Sequence, residues 1–437
     1  MTVITNFAKS FVCRWSFLTA IGILAGVGVI KWQASLMPEN TYVPMPKGPT
    51  PNARDIFLQA EALMKGNIDQ YTSSPAPAGT TPAQIADPSS PYYQLTLAQR
   101  EAMVRENLPA LAKLEEGLKY QYFAVQPRSA SFLMPYLAKD RAMARALVFA
   151  GKTREEHGDA DGAMRYYMDA IHLGNDLPHG AIMIGALVGD ACDAIGRRGA
   201  EGVFNQLDIT GSKSAISQLE QFDQNRTPTS ETIIEEKWLT QGALLNTFRS
   251  RSWERKWWVS GVSVRQLDLI DQAKAVNESP RTAYDHYTTY MNKLTAFAAQ
   301  PWPVEQKTRA PKLPTDPINQ ILLPVFDGAI FQAYVAQTMD RLLEIQIGLH
   351  AYKLRHGAYP NNLSDLKPEL NSKLPIDPFS HQPFKYQKQG ETYLLYSVGP
   401  DGVDDHGKPV AYTPNATAPY IVAGPDQKGD IVAGINR

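Results

Sequence analysis

The stretch AKDRAMARALVFAGKTREEHGDADGAMRYYMDAIHLGNDL, Ala138 to Leu177, decides how this chain is read. Ala142, Ala146 and Ala150 recur every four positions, so they fall on one helix face. Gly158 interrupts the pattern, and Ala163, Tyr166, Tyr167, Ala170 and Ile171 resume it. Two helices joined through His157 to Asp161 are predicted, with Gly158 stopping the first and small residues letting the pair approach closely.

Working outward, Leu97, Val104, Leu108, Leu111, Leu114 and Leu118 form the stripe of an amphipathic helix. Helical patterns continue through about 181–205, 212–225, 231–250, 264–276 and 282–299. Pro301, Pro303, Pro311, Pro314 and Pro317 then mark a boundary. Beyond it, Val335, Met339, Leu342, Ile345, Leu349 and Tyr352 predict one long helix from Val325 to His356, closed by Gly357. LPIDPFSHQPFKY (374–386) and ETYLLYSV (391–398) read as strands around a turn at Gln387–Gly390, and GDIVAGI from Gly429 as a third. The expected fold is mainly α with a C-terminal α+β domain. An N-terminal transmembrane helix leads into an irregular helical array, followed by one long helix packed on a small antiparallel sheet.

The expected divisions are an anchor at 1–36, a proline-rich stalk and linker with a short helix at 37–93, and a helical array at 94–300. A proline-rich linker at 301–324 precedes the last domain at 325–437. The 437 residues suffice for several domains, and 43 basic against 44 acidic residues supply no global field that would draw nucleic acid. With Cys13 and Cys192 as the only cysteines, neither a disulfide framework nor a zinc site built on cysteine spacing is available.

Lys9 and Arg14 precede a charge-free run from Trp15 to Ile30, which predicts an uncleaved single-pass anchor of a bacterial inner membrane, N-terminus inside and the bulk of the chain periplasmic. The alternative is a cleaved signal peptide, against which KWQAS places Trp32 where a small residue is wanted. Gly22 and Gly26 have the spacing that pairs two anchors, though glycine is common in such helices, so a homo-oligomer through them is one reading of two.

Two family resemblances follow. GDADGAMRYYMDAI (158–171) resembles one tetratricopeptide-type hairpin, without a second copy at the repeat period. LHAYKLRHGAYP, LPIDPF, an aromatic strand, YSVGPDG and a later GDIV resemble, in order, the globular head of the major pseudopilin of type II secretion systems, over about a quarter of the chain. That resemblance implies calcium on Asp401, with Asp404 or Asp405 as further ligands and Asp430 a candidate. The pattern also departs from the family. The apolar segment lies some 290 residues upstream and lacks the expected glutamate, and about twenty residues separate the acidic turn from GDIV. The whole chain looks similar to large envelope proteins of planctomycete-type bacteria.

Read on its residues alone, the turn carries three carboxylates, Asp401, Asp404 and Asp405, whose mutual repulsion a cation would relieve. A solvated turn with local hydrogen bonds is the other reading. RSRSWERKWW interleaves Arg249, Arg251 and Arg255 with Trp253, Trp257 and Trp258. It is either an interaction surface for an anionic glycan, peptide or lipid headgroup, or a helix end whose tryptophans pack inward. Tyr284, Tyr287 and Tyr290 read as interhelical packing or as a groove. No metalloprotease, nucleophile-elbow, P-loop or dinucleotide motif is present. The expected function is an envelope scaffold or interaction protein with a protein partner, in a secretion-like or envelope assembly. The competing expectation is an enzyme acting on envelope polysaccharide or peptide, marked by perturbed carboxylates in a deep cleft of the helical region.

Overall fold

The computed structural model describes residues 47–68, 71, 80–81, 84, 94–124, 136–249, 280–302, 311–316, 319–320, 323, 326–371, 373–410 and 427–434. Among them are nine α-helices and one three-stranded antiparallel sheet, so the chain is mostly helical with a small sheet at its end. The helices are α1 (Ala53–Leu63), α2 (Leu97–Gly117), α3 (Tyr136–Glu156), α4 (Ala160–Asp176) and α5 (Met183–Val203). They continue with α6 (Ile209–Asn225), α7 (Thr229–Arg249), α8 (Pro280–Ala298) and α9 (Phe326–His356). The anchor predicted at 1–36 and the helix predicted at 264–276 lie outside the described residues; among those described, no helix is long and apolar enough to cross a membrane.

Local chemistry sets the helix starts. Thr96 accepts the amide of Gln99 while the Gln99 side chain accepts the amide of Thr96, a reciprocal cap at the start of α2. Asp159 accepts the Gly162 amide at 2.9 Å to open α4, and Asp208 accepts that of Gly211 at 2.6 Å to open α6. Gly158, at φ +77, makes the α3–α4 turn in the left-handed region. The hairpin read from Ala138–Leu177 is present, with Tyr167, Ala170 and Ile171 buried in it. The α2 stripe is only partly right, because Leu111, Leu114 and Leu118 are buried whereas Leu108 is 49% exposed. Asn107 takes the inward position instead, accepting the Lys65 amide and donating to the Lys65 and Met103 carbonyls.

Helix α4 packs against both α3 and α5, and α5 runs close enough that its glycines meet backbone. A Cβ at Gly196 would stand 2.7 Å from the Tyr167 carbonyl oxygen, and one at Gly189 would stand 2.6 Å from that of Gly174.

The C-terminal sheet runs β1 (Lys385–Gln389), β2 (Thr392–Ser397), β3 (Ile431–Val432) in that order, with Lys385 opposite Tyr396 and Tyr396 opposite Val432. LPIDPF is not a strand; it forms a turn closed by an Ile376–Pro383 bridge. Asp377 holds that turn from inside. One oxygen accepts the Phe379 amide and the Ser397 hydroxyl, and the other the Ser380 hydroxyl and the Val398 amide.

Helix α9 belongs to the array as much as to the sheet. It packs on α5 and α6 along its length and touches β2. One hydrophobic core is continuous from α1–α6 through α9 to the sheet, and a second joins α7, α8 and the start of α9.

Gly196→Ala should force α4 and α5 apart at backbone level and cost about 3 kcal/mol in urea unfolding, at the upper end of ordinary overpacking. Gly202→Ala, on the same helix with open space around it, should be neutral or slightly stabilising.

Candidate functional site

Helix α5 is built largely of glycine, alanine and apolar residues, and Asp193 and Arg197 stand four apart on it, facing inward. Arg197 Nη1 reaches Asp193 Oδ2 at 2.6 Å and Asp340 Oδ1, on α9, at 3.0 Å. Arg226, just past the end of α6, donates to the other Asp340 oxygen. A neighbouring set extends the network: Asp223 accepts two nitrogens of Arg341 and the Gln337 amide, while Arg341 Nη1 donates to the Ile376 carbonyl at 2.6 Å.

Burial pushes the Asp193 carboxyl well up, with Asp340 adding to the effect and Arg197 opposing it. For Arg197, burial disfavours the charge, but Asp193 and Asp340 more than offset that and raise its pKa. Asp223 goes the other way: burial would raise it, and Arg341 with its hydrogen bonds holds it below the ordinary range.

Beside this network lies a cavity of about 530 Å³, within the range of small-molecule sites. Its polar side is Asn175, Asp190, Asp223, Arg226 and the hydroxyls of the segment 227–232; the rest is apolar, with Ala186, Ala329 and Ala333 leaving the space. Exposed Pro228, Gln300 and Pro301 form its rim. Two buried side-chain atoms of lining residues have no hydrogen-bond partner among the described residues, the acceptor Asn175 Oδ1 and the donor Arg226 Nε. Asn175 is only 7% exposed; its Nδ2 donates to the Ile171 carbonyl, and its Oδ1 has no partner. Asp190 accepts no hydrogen bond from any described residue. Burial pushes its carboxyl up to about 6, with Arg226 and Arg197 pulling down and Asp340 pushing up. Sequence reading passed over all of these residues. The available signal was a charged Asp193–Arg197 pair inside a glycine- and alanine-rich helix, where solvent-facing charges are not expected.

Other perturbed groups are more structural. Asp140, between α1 and α3, is pushed up to about 8 by burial and by Glu61, beneath Arg54 and Tyr122. His286 Nδ1 lies 3.0 Å from buried Asp316, which Asn319 also binds.

The residues singled out from sequence are dispersed. Arg249 ends α7, and Arg251, Trp253, Arg255, Trp257 and Trp258 lie outside the described residues. Tyr284, Tyr287 and Tyr290 are buried in the core of α7 and α8, as packing rather than a groove. In the acidic turn, Asp404 accepts the Tyr396 hydroxyl and the His406 amide and faces Lys385 at 3.2 Å. Asp401 accepts the Val403 amide, and fully buried Asp430 accepts the amides of Asp405 and Gly407. The oxygens that calcium would need are largely occupied by internal donors in this arrangement. Among the described residues, no three His, Cys, Asp or Glu side chains gather at ligating distance.

Comparison with protein-family models, with curated proteins and with solved structures finds no match for this chain.

Asp340→Ala leaves Arg197 and Arg226 buried without their acceptor and should cost about 3–5 kcal/mol in urea unfolding. Asp190→Asn removes no hydrogen bond and should not destabilise. Because the folded-state pKa of Asp190 is raised, its ionisation costs stability as pH rises from about 4 to about 6. The stability of Asp190→Asn relative to wild type should therefore grow across that window and level off above it.

Proposed function

We propose that this protein is a membrane-anchored, extracytoplasmic scaffold or interaction protein that binds a ligand rather than transforming it. The observation that supports this most is the position of the cavity. Its walls come from α5, the α6–α7 segment, the end of α8 and the first half of α9, so an occupant would touch the array and the helix that leads to the sheet together. Such a seam suits a module that displays the C-terminal region in a fixed relation to the array.

A binding role is favoured over the enzymatic alternative by the chemistry of the walls. Asp223 and Arg226 are each tied to a partner by ion pairs, and Asp190 is the lining group poised near neutrality. A general acid–base mechanism needs a second group within reach of the reacting atoms, or a nucleophile with an adjacent base. The hydroxyl of Thr227 instead contacts His179, whose pKa burial lowers.

In this reading the C-terminal region is a pseudopilin-like head borrowed as a fold, in a secretion-like or envelope assembly, without filament formation. Calcium enters only as a structural ion on Asp401 and Asp405, with Asp404 joining by giving up Lys385.

The full chain should fractionate with inner membranes and be cut by protease added to spheroplasts, while a chain beginning at Met37 should be released. Recovery in the cytoplasm would overturn the proposal. In the full chain the C-terminal region should stay folded in chelator, since Asp377 and Asp430 already close its turns. A melting temperature that rises with calcium, and no longer does so in Asp401→Ala, would place the ion on the acidic turn.

A further inference from the structure

We propose that Glu344 and Glu220 form a proton-dependent clasp between α9 and α6. A proton on Glu344 donates to the Glu220 oxygen that has no partner, and its loss slackens the seam that ties the sheet-bearing helix to the array. Neither residue lines the cavity, so the clasp does not depend on an occupant there.

The seam sets the two carboxyls opposite each other. Near the end of α6, Asp223 meets Gln337 and Arg341, each at 2.8 Å, while just before α6 the Leu207 carbonyl meets His350 at 2.9 Å. The two helices therefore run antiparallel. Glu220 lies one turn back from Asp223 and Glu344 one turn on from Arg341, which brings them face to face across the seam.

Their hydrogen-bonding states are complementary. Glu220 Oε2 accepts Asn371 Nδ2 at 2.6 Å, and its Oε1 is buried without a donor. Glu344 is 4% exposed and accepts no hydrogen bond from any described residue. Asp223, the other carboxylate nearby, is filled by Gln337 and Arg341, and Arg341 is committed to Asp223 and the Ile376 carbonyl. Glu220 lacks one donor, and a protonated Glu344 supplies one O–H. The Glu344 oxygens are not among the buried atoms without a partner, so solvent reaches them and the proton can exchange.

The surrounding charges act in the same direction. Burial pushes the Glu344 carboxyl up to about 8, with Glu220 and then Asp223 of α6 adding to the rise. Arg341 on α9 itself and Lys373, beyond the short turn Leu363–Leu366, oppose it. On the α5 side Arg197 is taken up by Asp193 and Asp340, with Glu201 beside it. Glu369 is bound by Arg355, and Tyr393 of β2 bonds Gln346. Because the folded-state pKa lies above the ordinary 4.5, the stabilisation is fully present below about pH 4.5, falls as pH rises, and is lost by about 8.

Urea unfolding of the full chain in a neutral detergent, from pH 5 to 9, tests the clasp with Glu344→Gln, whose amide can donate to Glu220 at every pH. The folded-to-unfolded ratio of Glu344→Gln relative to wild type should grow about tenfold per pH unit from pH 5 and level off near 8. In a Glu220→Gln background the same comparison should level off at least about one pH unit lower, since the strongest opposing charge is gone. Hydrogen exchange at pH 8, where the intrinsic rate is common to both chains, locates the effect. Wild-type peptides from 209–225 and 337–349 should exchange at least about fivefold faster than those of Glu344→Gln, with the α3–α4 hairpin alike in both. A flat ratio from pH 5 to 8 would overturn the proposal, because Glu344 would then be ionised throughout. A levelling point unmoved by Glu220→Gln removes Glu220 as the partner, and faster exchange spread evenly over the chain reduces Glu344 to a general stability effect; either result overturns the clasp. Failure of Glu344→Gln to fold at pH 5, where wild type carries a neutral donor at the same place, overturns it as well.

Discussion

Asp340 sits between two arginines that come from different parts of the chain, and the placement of α9 depends on it. Arg197 arrives on α5 and Arg226 after α6, and each takes one of its oxygens. Removing these charges from water is costly, and a well-packed apolar substitute could stabilise the fold as well or better. What the bridge supplies is register. Val335, Met339, Leu342, Ile345 and Leu349 repeat along α9, and a slip of one turn, about 5.4 Å, would exchange one apolar residue for another. The same slip would bury Asp340 with no arginine and both arginines with no acceptor. Only one alignment satisfies all three.

That alignment carries through to the sheet. The next residue, Arg341, holds Asp223 with two nitrogens and reaches the Ile376 carbonyl with another, so α6, α9 and the turn around Asp377 meet at one side chain. On the other flank Trp302 packs against Phe331, Tyr334 and Phe379, donates to the Pro400 carbonyl, and offers its own carbonyl to His381. The aromatic contacts and the ion bridge pin α9 from two sides. Between them, alanines at 186, 329 and 333 are too short to close the gap, and the cavity is the volume that remains.

The helices and their order were legible because periodicity is a local property. The hairpin around Gly158, the long helix ending near His356 and the run from Thr392 to Ser397 each announce themselves within a dozen residues. Leu108 misled because a stripe of leucines says which face is apolar and not which of its residues a neighbour covers; Asn107 is buried there through three hydrogen bonds. LPIDPF misled for a related reason: its apolar run belongs to a turn closed by a buried aspartate, and the partners of Asp377 lie up to 21 residues away. The cavity was invisible for the strongest reason. Asp193 and Asp340 are 147 positions apart, and no local pattern brings them to one arginine. The acidic turn drew attention because its charges are adjacent in sequence, yet its Asp404 is occupied by Tyr396 and Lys385.

The distinction between a carboxylate that builds and one that waits can be drawn within this one network. Asp193, Asp223 and Asp340 are each held by at least one arginine at hydrogen-bond distance, and removing Asp340 leaves Arg226 without the carboxylate that binds it. Asp190 lies one helical turn before Asp193, feels the same arginines through space, and accepts a hydrogen bond from none of them. An unpaired acceptor is costly only where water cannot reach it, and the Asp190 oxygens are not among the buried atoms without a partner. Asp190 instead borders the space that Ala186 and Ala333 leave open. Solvent in that space reaches the Asp190 oxygens, so this carboxylate can do without an arginine where Asp193 and Asp340 cannot.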